Sequence, residues 1–257
     1  MSSNPSVGAV NNSTFYNPTF DEYRRMAQDS NLSCYEKVGF PDAYRKESEP
    51  FIFEDILRKL PSLEQKNKVI LDIGPGCSRL PHMLIELCER NGHTLLLIDS
   101  EEMLALLPDK PFIHKLPGQF PKMEAFFQNY RGRVDCLLSY SVLQIAFKEG
   151  FFQQFVDTAL ALLAEGGEML LGDIPNISKR KRFFASNNGV RYHQQFTGES
   201  TLPDVRFNQM EPEHLDDGTL FGLMMRARLQ GFDAYLLPQD ARLPFANRRE
   251  DLLLTRP

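Results

Sequence analysis

The chain has 257 residues, of which 42% are apolar and 25% charged, so it can bury one sizeable α/β core with a small added cap. Its formal net charge of −5 argues against a protein that must bind nucleic acid, although small anionic substrates remain compatible with it. No apolar run could span a bilayer, the N-terminus lacks a secretory signal, and the four cysteines form no C-x-x-C pair. We therefore expect a cytoplasmic protein without a membrane segment or a metal site.

The N-terminal quarter of the sequence divides into two parts. Residues 1–18 are rich in Asn, Ser and Pro and are expected to form a disordered arm. Residues 19–60 are expected to form a helical cap, because apolar side chains recur at helical spacing from Phe51 to Leu60. Residues 61–257 then form the main domain.

Strands and helices alternate through that domain. Apolar runs predict strands at 69–71, 95–98, 112–116, 134–140 and 169–174, and helical periodicity predicts helices at 80–88, 103–107 and 151–164. Residues 175–212 show no clear period, and a helix at 215–229 and strands at 232–237 and 251–255 follow them. This order predicts a Rossmann-like, doubly wound α/β fold, with a mostly parallel seven-stranded sheet whose last strand is antiparallel.

The segment VILDIGPGCSRL (69–80) joins a buried strand to a helix through Asp72, Gly74 and Gly76. Glycines let the backbone approach a ligand closely, and the helix start offers free N–H groups to a pyrophosphate or to the carboxylate of S-adenosylmethionine. Arg79 stands where a dinucleotide motif needs a small residue. Asp72 would repel a pyrophosphate but attract ammonium and sulfonium groups, which favours S-adenosylmethionine. In the alternative interpretation Asp72 only caps a turn.

Asp99 ends the second predicted strand. A carboxylate at that point can accept hydrogen bonds from both hydroxyls of a ribose. The alternative role is a cap for the next helix, which the neighbouring Ser100 could also supply. The two roles of Asp99 are compatible, because a carboxylate has several acceptor positions.

Five stretches, LDIGPGCSRL, LLLIDSEEML, LPGQF, VDCLLSYSVL and LLAEGGEMLLGDIP, occur in this order along the chain. Together they resemble the successive motifs of class I S-adenosylmethionine-dependent methyltransferases, over about residues 52–175 and the closing strand pair. The resemblance implies S-adenosylmethionine as the cofactor and methyl transfer as the activity. It also implies that the N-terminal cap covers the cofactor as a lid.

Carried over by position, the resemblance implies a cofactor site at the ends of four strands. Gln119 departs from the acidic residue that the family often has, although an amide can also pair with the adenine edge. For Met103 and Tyr140, core packing is an equally good interpretation. The implied contacts are to the methionine end from Asp72, Gly74, Gly76, Ser139 and Tyr140, to the ribose from Asp99, Ser100 and Met103, and to the adenine from Gly118 and Gln119.

The C-terminal half resembles bacterial methyltransferases of polysaccharide and nonulosonate sugar biosynthesis, in GDIPNISKRKRFF, RARLQGFDAYLLPQ and LPFANRREDLLLTRP. That resemblance implies a small-molecule acceptor, a sugar or a nucleotide sugar. In the first of these stretches a basic run, Lys179, Arg180 and Arg182, lies just past the fifth predicted strand. These side chains could bind the phosphates of a substrate. Residues 175–212 are therefore a candidate substrate-binding insertion. The alternative for this run is a solvated face.

A hydroxyl acceptor would benefit from a general base near its proton. His193, in VRYHQQF, is the first candidate for that role, and Glu211 and His214 are further candidates. In the alternative interpretation His193 has no catalytic role. Two other functions stay open on the same fold, an NAD(P)-dependent oxidoreductase and a non-catalytic binding protein.

Overall fold

The computed structural model describes residues 18–209 and 211–257, so the predicted arm at 1–18 lies outside the described residues except for Pro18. Seven strands form one sheet: β1 (Val69–Ile73), β2 (Thr94–Asp99), β3 (Ile113–Pro117), β4 (Val134–Tyr140), β5 (Leu163–Pro175), β6 (Asp233–Pro238) and β7 (Arg249–Thr255). The α-helices are α1 (Phe20–Gln28), α2 (Asp42–Arg45), α3 (Glu49–Lys59), α4 (Arg79–Asn91), α5 (Glu101–Leu104), α6 (Glu124–Tyr130), α7 (Leu143–Lys148), α8 (Phe152–Leu162), α9 (Ile177–Phe184), α10 (Asn187–Thr197) and α11 (Asp217–Leu229).

The strands lie in the order β3-β2-β1-β4-β5-β7-β6. Strands β1 to β5 pair in parallel, whereas β7 is antiparallel to both of its neighbours. The predicted Rossmann-like α/β fold, with its antiparallel last strand, is therefore confirmed. The order reverses between β1 and β4, and ligands in open α/β sheets bind outside the carboxyl ends of the strands at such a point.

Two apolar cores cover the two faces of the sheet. Alternate residues of one strand point to opposite faces, so Leu71 lies in the core beneath α8 and α11, and Ile70 in the core beneath α3 and α4. Both side chains are fully buried, as are Leu95, Leu96 and Leu97 on β2. This burial on both faces explains why the strands appear in the sequence as unbroken apolar runs.

The N-terminal helices of the predicted cap are present as α1, α2 and α3. Thr19 caps α1, and its side chain and that of Glu22 satisfy each other's backbone N–H groups. The apolar face of α3 packs in the core beside α4, through Ile52 and Ile56. The cap is thus continuous with the main domain.

The structure differs from the sequence analysis in three places. Residues 175–212, for which the sequence shows no clear period, contain α9 and α10, whose first turns are capped by the side chains of Asn176 and Ser186. The helix predicted to Ala164 ends at Leu162, because Leu163 already pairs with Val134 as the start of β5. The short helices α6 and α7 were not predicted, since neither is long enough to show a period.

Candidate functional site

A cavity opens at the carboxyl ends of β1, β2 and β4, where the strand order reverses. It contains about 970 Å³ of empty space, including its mouth, which is the size of a typical small-ligand site. Its floor comes from the sheet and its roof from the N-terminal helices. Of the sequence-predicted cofactor residues, the structure brings eight to its wall: Asp72, Gly74, Gly76, Asp99, Met103, Gly118, Gln119 and Tyr140.

The turn after β1 requires its two glycines. Gly74 and Gly76 have φ angles of 72° and 67°, in the left-handed region that side chains disfavour. A Cβ atom at Gly74 would lie 2.6 Å from Val142 Cγ2, and one at Gly76 would lie 2.5 Å from Val38 Cγ1. The Gly74 N–H also donates to the Ile98 carbonyl at 2.8 Å, which ties the turn to β2.

Asp72 presents a carboxyl group to the cavity while being 4% exposed. Within the described part of the chain it accepts no hydrogen bond and forms no ion pair. Burial, together with the smaller effect of the nearby charge of Asp99, raises its pKa to about 8. A buried carboxyl group without a protein partner is a place where a bound cation would be stabilised.

Asp99 is held rigidly at the end of β2. Its two carboxylate oxygens accept hydrogen bonds from the N–H groups of Ser100 at 2.7 Å and Gly76 at 3.2 Å. Burial raises its pKa to about 6, against the opposing effect of these two N–H groups. The cap of α5 is Ser100, whose hydroxyl accepts from the Met103 N–H at 3.1 Å, so the capping role considered for Asp99 is wrong.

Gln119 lies on the cavity wall, but both ends of its amide are already bonded. Its Nε2 donates to Glu149 at 2.6 Å, and its Oε1 accepts from Lys122 at 2.8 Å. The preceding Gly118 donates its N–H to the backbone carbonyl of Asp99 at 2.9 Å. The Gln119 amide keeps one N–H and one oxygen lone pair beyond these two bonds, so an adenine contact is compatible with them.

Two of the predicted residues support the wall without lining it. Ser139 is 2% exposed and donates its hydroxyl to the Ile73 carbonyl at 3.0 Å, which braces β4 against β1. Ser100 lies behind Asp99 as the cap of α5. Met103 and Tyr140 do line the cavity, and both are also almost fully buried, so core packing and site lining coincide there.

The roof of the cavity comes from residues that carry no motif and that sequence reasoning missed: Phe20, Tyr23, Val38, Phe40 and Arg45. Burial raises the pKa of the Tyr23 phenol to about 12, so this side chain stays neutral. Two contacts fasten α1 over the sheet. The Phe20 N–H donates to Glu149 at 2.9 Å, and Arg24 forms a bidentate ion pair with Glu102, with its shortest contact at 2.7 Å.

No protein-family model and no curated protein matches the sequence significantly. Solved structures do match in fold. A phosphoethanolamine N-methyltransferase of Haemonchus contortus, solved with phosphoethanolamine and S-adenosylhomocysteine, has a TM-score of 0.57 at 16% identity, over 93% of this chain and 50% of that chain. The N-methyltransferase NodS of Bradyrhizobium japonicum, in complex with S-adenosylhomocysteine, has a TM-score of 0.55 at 11% identity, over 94% of this chain and 100% of that chain.

The chain has the fold of the class I S-adenosylmethionine-dependent methyltransferases. At these identities the likeness concerns the fold alone. A third match, the carbon methyltransferase CurJ, has a TM-score of 0.53 at 13% identity, over 92% of this chain and 67% of that chain. Because these three proteins are named for different acceptors, the methyltransferase fold does not select an acceptor.

The predicted acceptor residues lie outside the cavity wall of this methyltransferase fold. His193, on α10, contacts the ring of Phe184 with a centroid distance of 6.4 Å. Lys179 donates to the Arg249 carbonyl at 2.8 Å. Arg182 forms an ion pair with Asp217, and Arg180 stacks on Phe184 at 5.1 Å.

Across residues 18–209 and 211–257, no three His, Cys, Asp or Glu side chains are grouped as ligands for a metal ion. In the same part of the chain, no helix combines the length and the apolar character that crossing a bilayer requires. All four cysteines are free thiols.

Proposed function

We propose that the protein is an S-adenosylmethionine-dependent methyltransferase that acts on a small polar acceptor. The observation that carries this proposal is Asp72, a buried carboxyl group that faces the cavity without a partner among the described residues. A ligand with a positive charge near the glycine turn would supply the missing partner. S-adenosylmethionine carries two such charges, an ammonium and a sulfonium.

The other residues of the turn also fit this cofactor. Gly74 and Gly76 leave room where a Cβ atom would collide with Val142 and Val38, so a ligand can lie close to the backbone. The first turn of α4 has no side-chain cap, which leaves N–H groups for a carboxylate. Asp99 retains acceptor positions for ribose hydroxyls beyond the two N–H groups that it already binds.

Bound S-adenosylmethionine would supply an activated methyl group, so the chain's own task is to orient the reactants and to exclude water. Asp72 and Asp99 would fix the two halves of the cofactor. Phe20 and Tyr23 on α1 cover the cavity from the side opposite the sheet, which supports a lid role for residues 19–60. The main domain would then be residues 61–257.

The nature of the acceptor is the less specified part of the proposal. We propose a sugar or a nucleotide sugar, on the basis of the C-terminal sequence stretches, with 175–212 as the insertion that meets it. The general base proposed on α10, His193, would have to approach the cavity from outside its present wall. The four free thiols support a reducing, cytoplasmic location.

Isothermal titration with S-adenosylhomocysteine tests the proposal. We expect micromolar binding to the unmodified protein and a loss of about 10- to 100-fold in Asp99→Ala, since two charge-assisted hydrogen bonds to the ribose are removed. The matched control is Asp233→Ala, which changes an exposed aspartate on β6 whose side chain forms no hydrogen bond in the described residues, and it should bind like the unmodified protein. Tight binding of NADH without binding of S-adenosylhomocysteine would contradict the proposal.

A further inference from the structure

Arg45 places a buried cation on the cavity wall. The residue is 6% exposed, and its Nε donates to Glu49 Oε1 at 3.2 Å. Its two terminal nitrogens donate no hydrogen bond within the described residues. The nearest carboxylate oxygen beyond Glu49 is Asp173 Oδ2, 3.7 Å from Nη1, which is outside hydrogen-bond range. A buried guanidinium with unused N–H groups is costly unless a ligand completes it.

Arg45 lies beside the methionine end of the proposed cofactor site. Its guanidinium is 5.4 Å from the ring centre of Tyr140, at the end of β4, and close to Asp173, near the end of β5. The ring of Phe40 packs on it at 4.5 Å, which restricts its movement. Asp99, the proposed ribose residue, stands at the end of β2. Arg45 is therefore on the side of the cavity where the methyl group of a bound cofactor would meet its acceptor.

The two carboxylates nearest to Arg45 have cationic partners. Glu49 accepts a hydrogen bond from Arg45 itself. Asp173 forms an ion pair with Arg249 and accepts the Ser141 hydroxyl at 2.5 Å, so its own charge is largely compensated. An anion entering beside Arg45 would meet free N–H donors, with neither of these two carboxylates unpaired.

The backbone around this cluster is strained. Ser141 and Asp173 both have left-handed φ angles, 63° and 59°, although neither is a glycine. Such angles in ordinary residues are concentrated at functional sites, where the surrounding structure maintains the strain. Ser141 lines the cavity, so the strain lies at its wall.

We propose that Arg45 binds an anionic group of the methyl acceptor, a carboxylate or a phosphate, through its free terminal N–H groups. This inference rests on the proposed methyltransferase function and defines the class of its acceptor. It also assigns anion recognition to the cap rather than to the basic run on α9. In that run Lys179 and Arg182 are held by groups of the protein, away from the cavity wall.

The test compares Glu49→Gln with the double variant Arg45→Met/Glu49→Gln. Removing Arg45 alone would leave Glu49 as an unpaired buried charge, whereas the double variant removes both charges and the single variant is its matched control. Each protein, saturated with S-adenosylhomocysteine, is titrated with inorganic phosphate. We expect at least tenfold weaker phosphate binding in the double variant, with the dissociation constant for S-adenosylhomocysteine unchanged within twofold.

Arg45→Lys provides a second measurement that keeps a positive partner for Glu49. It should bind phosphate several-fold more weakly than the unmodified protein, because one ammonium group replaces the planar fork. Equal phosphate affinity in Glu49→Gln and the double variant would show that phosphate binds without Arg45, as an adventitious ion only, and would overturn the inference. Weaker S-adenosylhomocysteine binding in the double variant would overturn it too, by placing Arg45 on the cofactor. If the unmodified protein bound no S-adenosylhomocysteine, the proposed function itself would fail.

Discussion

Asp72 and Asp99 give the cavity two carboxyl groups that most buried positions would not tolerate. The sequence predicts both residues, because each follows an apolar run at a strand end and Asp72 adjoins the glycine turn. What the sequence could not reveal is that Asp72 lacks a partner while Asp99 has two, since this depends on how Gly76 and Ser100 turn their N–H groups. The absence of a partner, rather than the motif alone, supports the proposal that Asp72 binds a ligand.

The Asp72 carboxyl group should make the ligand-free protein less stable as the pH rises. Its pKa is about 8 in the folded chain and about 4 in an unfolded one, so the folded state binds the proton more tightly. The contribution of Asp72 to the free energy of unfolding is therefore fully present below about pH 4 and is lost as the pH rises towards 8. Asp72→Asn removes this decline and should raise the free energy of unfolding at pH 8 by about 1–3 kcal/mol.

Urea unfolding between pH 5 and 8 measures this effect. A smaller decline should remain in Asp72→Asn, because burial also raises the pKa of Asp99, to about 6. Asp233→Asn, at the exposed start of β6, should follow the unmodified protein at every pH. A variant at Asp72 that is no more stable than the unmodified protein at pH 8 would contradict the assignment of a buried, unpartnered carboxyl group.

At the scale of elements, one carboxylate joins α1 to the cavity wall at Gln119. Glu149 accepts the Phe20 N–H with one oxygen and the Gln119 amide with the other. The sequence gives no sign of this link, because the two partners lie 129 and 30 positions from Glu149 and carry no shared pattern. The link makes the position of α1 and the orientation of Gln119 depend on each other.

Glu149→Ala should loosen α1 and weaken cofactor binding together. We expect faster amide hydrogen exchange in residues 20–28 and about 3- to 10-fold weaker binding of S-adenosylhomocysteine, the loss of one or two hydrogen bonds. Glu86→Ala is the matched control, since Glu86 is exposed on α4 and its side chain forms no hydrogen bond in the described residues. Faster exchange with unchanged affinity would show that α1 is not part of the binding site.

The sequence predicted correctly the elements in which burial produces a regular pattern of apolar residues. The central strands β1, β2 and β4 are mostly apolar because both of their faces are covered, and α4 shows a clear helical period. The helices α9 and α10 were not predicted. Few of their side chains are buried, so burial does not require apolar residues at helical spacing there. The roof residues escaped for another reason, since only tertiary packing brings Tyr23 and Arg45 over the sheet.

At the scale of the whole molecule, part of the apolar core that holds the sheet together lies away from the cavity. Leu254 on β7 is fully buried in the core beneath α8 and α11 and does not line the cavity. Leu254→Ala should lower the free energy of unfolding by about 2–5 kcal/mol, through lost contacts and the void left behind. The dissociation constant for S-adenosylhomocysteine should stay within twofold.

Guanidinium unfolding and isothermal titration measure the two quantities. Leu229→Ala, a change at an 84% exposed leucine on α11, should alter stability by no more than about 0.5 kcal/mol. If Leu254→Ala remained folded yet lost affinity, the core and the cavity would be coupled.

The placement of β7 between β5 and β6 has a consequence for assembly on the ribosome. β6 emerges first but finds no neighbour in the sheet, because the strand it pairs with is translated after it. The five parallel strands, with Asp72 and Asp99, are complete before either appears. Arg249, which β7 contributes as the partner of Asp173, is therefore added last, so a nascent chain would complete the β1–β2 side of the cavity earlier than the β5 side.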